Sequence, residues 1–457
     1  MTGWSMETFR KNQIVTAEIR GWAHDGAGVA GLENGQAVFV PGTIPGERWE
    51  IRIVKVRAGA VYGRGERCLS PSPDRVEPDC PAWPQCGGCT LRHVRYEAEL
   101  RFKLQRINDA YQRIGGLDLR AEEMLGAEET CGYRNKAIYA VGAGLRPGFY
   151  RPRSHDVIPV SRCRLQTEAS DRAAWAVCDF LRQKGIPAYD EATGKGTLRH
   201  IFTRTAFSTG ELQVTLVAAR GFGAHTAGLT EAILRACPET GGILLNINRS
   251  PGNTVLAGEF HTLWGRDMLC DTLCGHRFAL SPRSFYQINP RQAERLYRKA
   301  VELAAPAGTE LVLDLYCGAG TITLSLAREA KRVIGVEAVP AAVENARENA
   351  RNNGVENVEF LCADAAEAAA LLLQRGERPD AVVLDPPRKG LTPGLIETVV
   401  SMSPRRVVYV SCDSATQARD LRQFAGLGYV AETGVGVDMF PRTGHIESAV
   451  LLTQARP

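Results

Sequence analysis

LVLDLYCGAGTITLSLAREA, Leu311 to Ala330, is the stretch whose pattern decides the fold. Apolar residues fill 311–313 and 315, Cys317-Gly318-Ala319-Gly320 interrupts them, and a helical segment follows. A strand, a glycine turn and a helix in that order open a doubly wound sheet, where backbone amides at the turn approach a ligand beyond the carboxyl ends of the strands. Thr323 occupies the place of the third glycine in G-x-G-x-x-G, which counts against a nicotinamide site. Working outward, RVIGVE (Arg332 to Glu337) is a second strand ending in an acid about 20 residues beyond the glycines, the position from which a carboxylate reaches ribose hydroxyls. Glu337 is therefore the expected ribose ligand, with a helix-capping glutamate as the alternative. VEFLCA (Val358 to Ala363) is a third strand, setting Asp364 where such folds reach an adenine. AVVLDPPRKG (Ala381 to Gly390) puts Asp385 at the end of a fourth, before two prolines that stiffen the loop. The alternation of strands and helices predicts a Rossmann-like α/β domain over residues 280–457.

Upstream the pattern differs. From about Gln13 to Glu66, the runs QIVTAEI, QAVFV, RWEIRIVKV and AVYGRGE alternate with period two, and Asp25-Gly26 and Pro41-Gly42 supply turn chemistry. A small β-barrel over residues 1–67 is expected, with Ser70-Pro71-Ser72-Pro73 as a linker. Residues 68–279 mix a predicted helix (Val94 to Gly115) with strands such as ELQVTLVA (Glu211 to Ala218) and GILLNI (Gly242 to Ile247), which reads as a central α+β domain. A chain of 457 residues accommodates these three domains.

The hydrophobic fraction of 44% and charged fraction of 23% exclude a disordered or fibrous chain. No apolar stretch is long enough to span a bilayer and Met1 to Gln13 lacks a signal core, so no membrane association and a cytoplasmic location are expected. The net charge of +4 is modest, but basic residues cluster at Arg101, Lys103, Arg106 and Arg113 and at Arg146, Arg151 and Arg153, where they could meet phosphates or form solvated helix faces.

In a reducing compartment 13 unevenly spaced cysteines point to metal or catalytic use. Cys80, Cys86 and Cys89 stand in CPAWPQCGGC, where Gly87-Gly88 and the prolines permit a tight loop with thiolates turned to one ion or cluster. Soft sulfur ligands serve zinc and iron-sulfur alike, so spacing leaves both open. A fourth ligand must come from elsewhere. Cys163, in VIPVSRC (Val157 to Cys163), is the candidate, while Cys68, Cys131 and Cys178 compete without a motif around them.

VVYVSC (Val407 to Cys412) ends an apolar run in a thiol, which by itself reads as a core cysteine. GHIESAVLL (Gly444 to Leu452) sets Glu447 just before a further strand, at the same end of the sheet as Cys412. A thiol activated below its free pKa of about 8.5 and a nearby carboxylate base make a pair suited to covalent catalysis. His445 is a second candidate base, and Cys317 a second thiol.

The barrel phrases DGAGVA (Asp25 to Ala30) and VFVPGTIPGE (Val38 to Glu47) resemble the TRAM domain, a small RNA-binding barrel. Together with the cysteine run, the glycine turn, Asp385-Pro386-Pro387, Cys412 and Glu447, they resemble, over nearly the whole chain, the RNA uracil-5-methyltransferases of the TrmA/RumA class. The resemblance implies S-adenosylmethionine as methyl donor, contacted by Gln287 in SFYQINP (Ser284 to Pro290) and by Tyr316; the family's asparagine contact falls at Thr321. It implies Cys412 as the nucleophile toward carbon 6 of uracil and Glu447 as the base at carbon 5. In the family's ribosomal-RNA branch three close cysteines and a distant fourth hold a 4Fe-4S cluster, which carries over to Cys80, Cys86, Cys89 and Cys163, with zinc as the alternative. Methyl transfer needs no redox step, so the cluster is expected to shape the RNA-binding surface. The implied substrate is RNA, 23S ribosomal RNA favoured over transfer RNA, and the chain is expected to act as a monomer.

Two other classes compete. Amine-directed nucleic-acid methyltransferases usually place an aromatic residue after acid-Pro-Pro and have no use for Cys412; here Arg388 follows. A non-catalytic RNA-binding protein on a degenerate fold has no need of intact Gln287, Glu337, Asp385, Cys412 and Glu447. One departure stands out. The family continues its nucleophile with Asn-Pro and a threonine, whereas this chain runs Asp413-Ser414-Ala415-Thr416. A carboxylate beside a thiol raises its pKa by like-charge repulsion, so Asp413 is expected to oppose Cys412.

Overall fold

A computed structural model describes residues 9–455 apart from 33, 58 and 251–253; parts of Met1 to Gln13 and of 280–457 thus lie outside the described residues. The chain forms two compact units, Met1–Arg106 with Phe440–His445, and Ile107–Met439 with Ile446–Pro457.

In the first unit, β1 (Ile14–Trp22), β2 (Gly28–Gly31), β3 (Ala37–Val40), β4 (Arg48–Arg57) and β5 (Ala60–Ser70) close into a barrel in the order β1-β2-β3-β5-β4. The period-two pattern explains it: Ile51 and Ile53 of β4 turn inward with Ile19, Val38, Val40 and Val61, while Arg52 between them turns to the outer face and pairs with Glu66. The cysteine loop follows, then α1 (Tyr96–Ala110), which passes into a π-helical turn at Tyr111–Gly115 ending on left-handed Gly116. Lys103 departs from the expected basic cluster. It is fully buried and donates to Glu99 Oε1 at 2.7 Å, so it offers no charge to a phosphate.

The second unit holds two large sheets. The first has the order β13-β12-β11-β10-β7-β8-β9, built from β7 (Lys136–Gly142), β8 (Arg146–Tyr150), β9 (Val157–Pro159), β10 (Leu198–Thr205), β11 (Leu212–Ala218), β12 (Thr240–Ile247) and β13 (Glu259–Gly265). Helices α2 (Glu168–Gln183) and α3 (Thr226–Ala236) cover it, burying Val177, Leu181, Leu229 and Ile233 against Leu198, Val214 and Ile243. A hairpin, β14 (Leu269–Leu273) with β15 (His276–Leu280), leads onward.

The second sheet has the order β18-β17-β16-β19-β20-β22-β21-β6. Its strands are β16 (Leu311–Leu315), β17 (Arg332–Glu337), β18 (Val358–Cys362), β19 (Ala381–Leu384), β20 (Arg406–Ser411), β21 (Tyr429–Val437) and β22 (Glu447–Gln454), with β6 (Ala121–Leu125) joining from residues 68–279 as the edge. β16 to β20 run parallel and β22 enters antiparallel between β20 and β21. Interleaved are α4 (Pro290–Ala304), α5 (Thr321–Leu326), α6 (Pro340–Asn352), α7 (Ala365–Gln374), α8 (Pro393–Ser401) and α9 (Ser414–Gly426). The strand order reverses between β16 and β19, and such switch points open a crevice at the carboxyl ends of the strands. Among the described residues no helix is long and apolar enough to cross a membrane.

Candidate active site

The crevice is built first by the glycine turn. Tyr316 leaves β16 in left-handed backbone, φ 71°, while the N–H groups of Tyr316 and Cys317 both donate to Val336 O at 2.9 Å. A bulky residue in that region costs of order 1–3 kcal/mol and persists where the surroundings over-determine it, as sites often do. Gly320, φ 85°, caps α5; a Cβ there would stand 3.2 Å from Phe360. Thr323 holds the third-glycine position for a positive reason: its hydroxyl donates to buried Asp314 Oδ2 at 2.6 Å. Glu337 accepts the Gly318 N–H at 3.2 Å and the Val339 N–H at 2.8 Å, so it faces the glycine turn and also serves its own helix start. Asp364 is exposed, N-caps α7 through the Ala366 N–H at 2.9 Å, and exerts its charge on Tyr316.

The next strands bring the reactive groups together. Ser411 of β20 pairs with Ser448 of β22, so Cys412 and Glu447 leave adjacent strands at one end of the sheet, and Asp385 leaves neighbouring β19 there. Arg388, three residues beyond Asp385, sets its positive charge near the Cys412 sulfur. Burial pushes the Cys412 thiol up to about 11; Glu447 and Asp385 push the same way and Arg388 opposes them. Glu447 is buried, and burial, then Asp385, holds its carboxyl well above the carboxylate range, again against Arg388. Burial lifts Asp385 to about 7. Burial thus favours the neutral forms of both the thiol and Glu447, with one guanidinium favouring the thiolate.

Arg388 is held from behind by α9. Buried Asp420 accepts the Leu391 N–H at 2.8 Å and the Tyr409 hydroxyl at 2.7 Å, and Arg419 donates to Lys389 O at 3.0 Å. Gly390, φ 74°, passes so close that a Cβ would lie 2.4 Å from Asp420 Oδ2. The loop bearing Arg388 is therefore fixed at both its backbone and its turn.

Asp413 does not act as expected. Its carboxylate accepts the Ala415 and Thr416 N–H groups, both at 3.0 Å, and N-caps α9. The helix start absorbs this charge, and the repulsion on Cys412 comes from Glu447 and Asp385. Asp413→Asn keeps a capping oxygen and is expected to change stability by less than about 0.5 kcal/mol. Alkylation of Cys412 across pH checks the point: an unmoved midpoint is expected, and a marked drop would restore the repulsion to Asp413.

Gln287 and Thr321 meet through Tyr297, which sequence reasoning missed. Its hydroxyl lies near both side chains, which favour its ionised form; burial raises its pKa first, and Asp385 and Glu447 add to the rise. Tyr297 lies on the buried face of α4 with Ala293, Leu296 and Ala300, a spacing that reads simply as core. As the sequence predicts, Asn289 caps this helix, accepting the Gln292 N–H at 3.3 Å, with Pro290 at its start. Gln287, Thr321, Asp385, Cys412 and Glu447 thus gather around Tyr297 and Arg388, while Glu337, Tyr316 and Asp364 border the glycine turn. Asp314 Oδ1 is buried without a hydrogen-bond partner, and burial lifts that carboxyl to about 7. Acids so disposed fit a ligand that carries positive charge together with ribose hydroxyls.

The cysteine set is less closed. Cys80, Cys86 and Cys89 belong to the first unit and Cys163 to the second, and among the described residues no three His, Cys, Asp or Glu side chains group to hold a metal ion. The Cys86 sulfur receives the Gly88 N–H at 3.4 Å, while burial pushes the Cys163 thiol up to about 11. Cys178 is a core residue of the first large sheet. His445 lies in the first unit, its ring edge-on to Phe440 with centroids 5.6 Å apart.

Sheet order, glycine turn and acid-lined strand ends define a methyltransferase. Residues 274–455 match the family model of the tRNA (Uracil-5-)-methyltransferases, and residues 9–66 match the TRAM domain. An uncharacterized RNA methyltransferase of Halalkalibacterium halodurans is 44% identical over 97% of this chain and 97% of its own; one of Clostridium tetani is 40% identical over the same shares. The crystal structure of Pyrococcus abyssi tRNA (uracil-54, C5)-methyltransferase in complex with S-adenosyl-L-homocysteine superposes with a TM-score of 0.79 at 28% identity, over 96% of this chain and 100% of that one. The chain belongs to the RNA uracil-5-methyltransferase family.

Proposed function

We propose that this enzyme transfers a methyl group from S-adenosylmethionine to carbon 5 of a uridine in structured RNA, through a covalent bond between Cys412 and carbon 6. The observation that carries the proposal is the Cys412 thiol with Arg388 on its sulfur and Glu447 on the adjacent strand. The donor supplies a methyl group on a sulfonium centre. Glu337 takes the ribose, Asp364 the adenine edge, Tyr316 and Thr321 the walls of the turn, and Gln287 and Asp385 the donor end.

Carbon 5 of uracil is a poor nucleophile until a thiolate adds to carbon 6 and the displaced electrons spread into an enolate. Cys412 makes that bond after giving up its thiol proton to solvent, with Arg388 favouring the thiolate that attacks. Carbon 5 then takes the methyl group, Glu447 removes the proton left on carbon 5, the double bond reforms and the carbon–sulfur bond breaks to return the thiolate. Positive charge placed among Asp314, Asp385 and Glu447 draws all three toward carboxylates, the form Glu447 needs for the last step. An amine-directed reaction leaves this pair without a task.

Arg388→Ala removes a guanidinium that lowers the Cys412 pKa, and adduct formation at neutral pH is expected to fall roughly 10- to 100-fold, the worth of a close interaction with a charged group. The loss should shrink as pH rises through the thiol pKa; a loss independent of pH would assign Arg388 another role.

A base in folded RNA must leave its stack before a thiol reaches it, at a cost of a few kcal/mol, and the TRAM barrel is read as holding the strand meanwhile. The cysteine loop favours 23S ribosomal RNA as substrate. Transfer RNA is the second reading, favoured by the Pyrococcus abyssi enzyme's substrate. Cys80, Cys86, Cys89 and Cys163 are read as ligands of a 4Fe-4S cluster, with zinc the alternative, on the spacing of the cysteine run and the resemblance to the family's ribosomal-RNA branch. No step of the reaction runs through it. A monomer acting in the cytoplasm completes the proposal. Mass mapping of ribosomal and transfer RNA from cells with and without the enzyme tests it: loss of one 5-methyluridine is expected, and loss of a methyl on adenine with none on uridine would refute it.

A further inference from the structure

We infer that Arg204 and Asn135 are positioning residues that fix the main chain around Gln287 so that its amide meets the methyl donor, an inference that rests on the proposed donor contact of Gln287. From Ser281 to Asn289 the chain is neither strand nor helix, so its carbonyls need donors from elsewhere. Two residues beside the first large sheet supply them. Arg204 of β10 donates through Nη1 to Ser281 O at 3.1 Å and through Nη2 to Ser284 O at 2.8 Å. Asn135, immediately before β7, donates through Nδ2 to Gln287 O at 2.9 Å and through its own N–H to Ile288 O at 2.8 Å. The two are tied to each other as well, since the Thr205 N–H donates to Asn135 O at 2.8 Å and Arg204 stands opposite Lys136. On its other side the segment is held by α6, where Asn345 Oδ1 accepts the Ser284 hydroxyl at 3.1 Å. All of these residues belong to the second unit.

Arg204 is 1% exposed, and among the described residues its hydrogen bonds go to these two main-chain carbonyls and to no carboxylate. Burial pushes its pKa down to about 10, so it stays charged at neutral pH. A buried charge without an ion-pair partner costs stability, so this guanidinium is not explained as a gain in folding energy. Its planar fork does what an apolar side chain cannot: it bridges two carbonyls three residues apart and fixes the turn just ahead of Gln287. Gln287 itself is half-buried, with its side chain near the Tyr297 hydroxyl. A side chain that must meet a ligand from an irregular segment depends on such support, because a shift of about 1 Å is enough to lose the contact.

Binding of S-adenosylhomocysteine to the full-length enzyme, followed by calorimetry, tests the inference. Gln287→Ala is expected to raise the dissociation constant roughly 3- to 10-fold, the worth of one hydrogen bond. Arg204→Met should fall in the same range, and so should Asn135→Asp, which turns a carboxylate oxygen toward Gln287 O. Arg204→Lys, a point charge in place of a fork, should lie between Arg204→Met and wild type. The double variants separate positioning from general support. Arg204→Met/Gln287→Ala should bind no more than about twofold more weakly than Gln287→Ala alone, since nothing is left to position. Alkylation of Cys412, on β20, should stay within about twofold of wild type in Arg204→Met. Losses that multiply in the double variant, or a lowered melting temperature with wild-type affinity in Arg204→Met, overturn the inference. If Arg204→Met does not fold, Asn135→Asp and its double with Gln287→Ala are judged by the same rule. Wild-type affinity in Gln287→Ala is a separate failure: it removes the donor role of Gln287 itself, and the inference with it.

Discussion

Cys412→Ala is expected to abolish methylation, with a loss of at least ~10⁴-fold, the scale seen when a covalent nucleophile is removed. The size of the effect follows from the chemistry. Without the carbon–sulfur bond, carbon 5 never gains enolate character, and correct placement of the donor does not compensate. Donor binding should persist, because Cys412 lies on β20 whereas Glu337, Tyr316 and Thr321 lie at the glycine turn. The pH dependence of the wild-type enzyme has a definite sign. With the thiol pushed up to about 11, roughly one site in a thousand is thiolate at pH 8, and adduct formation should rise about tenfold per pH unit below that pKa. Single-turnover adduct formation with RNA across pH 6 to 9 checks this. A bell-shaped profile falling above pH 7.5 would contradict it.

Glu447→Gln is expected to slow turnover by about 10²- to 10⁴-fold, the usual contribution of a positioned general base. Its distinguishing mark is where the reaction stops. Cys412 and the methyl transfer remain in place, so the first turnover should leave a methylated RNA attached to protein through Cys412. Gel analysis under denaturing conditions reads the adduct directly. Equal slowing of methyl transfer and release would instead make Glu447 a structural residue of β22.

Much of this site was legible in the chain. RVIGVE forms β17 over the predicted Arg332–Glu337, Asn289 and Pro290 start α4, and Cys412 and Glu447 stand at one end of the sheet. These features depend on local periodicity and on parallel-sheet topology, both of which a single sequence carries. The partners of Cys412 were less visible. Arg388 reads in sequence only as a non-aromatic residue after two prolines; its charge near the thiol depends on Asp420 pinning the loop from α9. Tyr297 is masked by its own helical face, and Lys103, counted among surface charges, is claimed by Glu99 one turn earlier. Asp413 was misjudged for the same reason. Proximity to Cys412 in sequence suggested repulsion, but the helix that begins there takes its carboxylate.

The most direct test is mass spectrometry of the enzyme trapped on RNA containing 5-fluorouridine in the presence of S-adenosylmethionine. Fluorine at carbon 5 cannot be removed as a proton, so the adduct should survive. The expected product is a methylated fluorouridine attached to the peptide bearing Cys412, absent from Cys412→Ala. An adduct that persists in Cys412→Ala, or one mapped to Cys317, would contradict the assignment of the nucleophile.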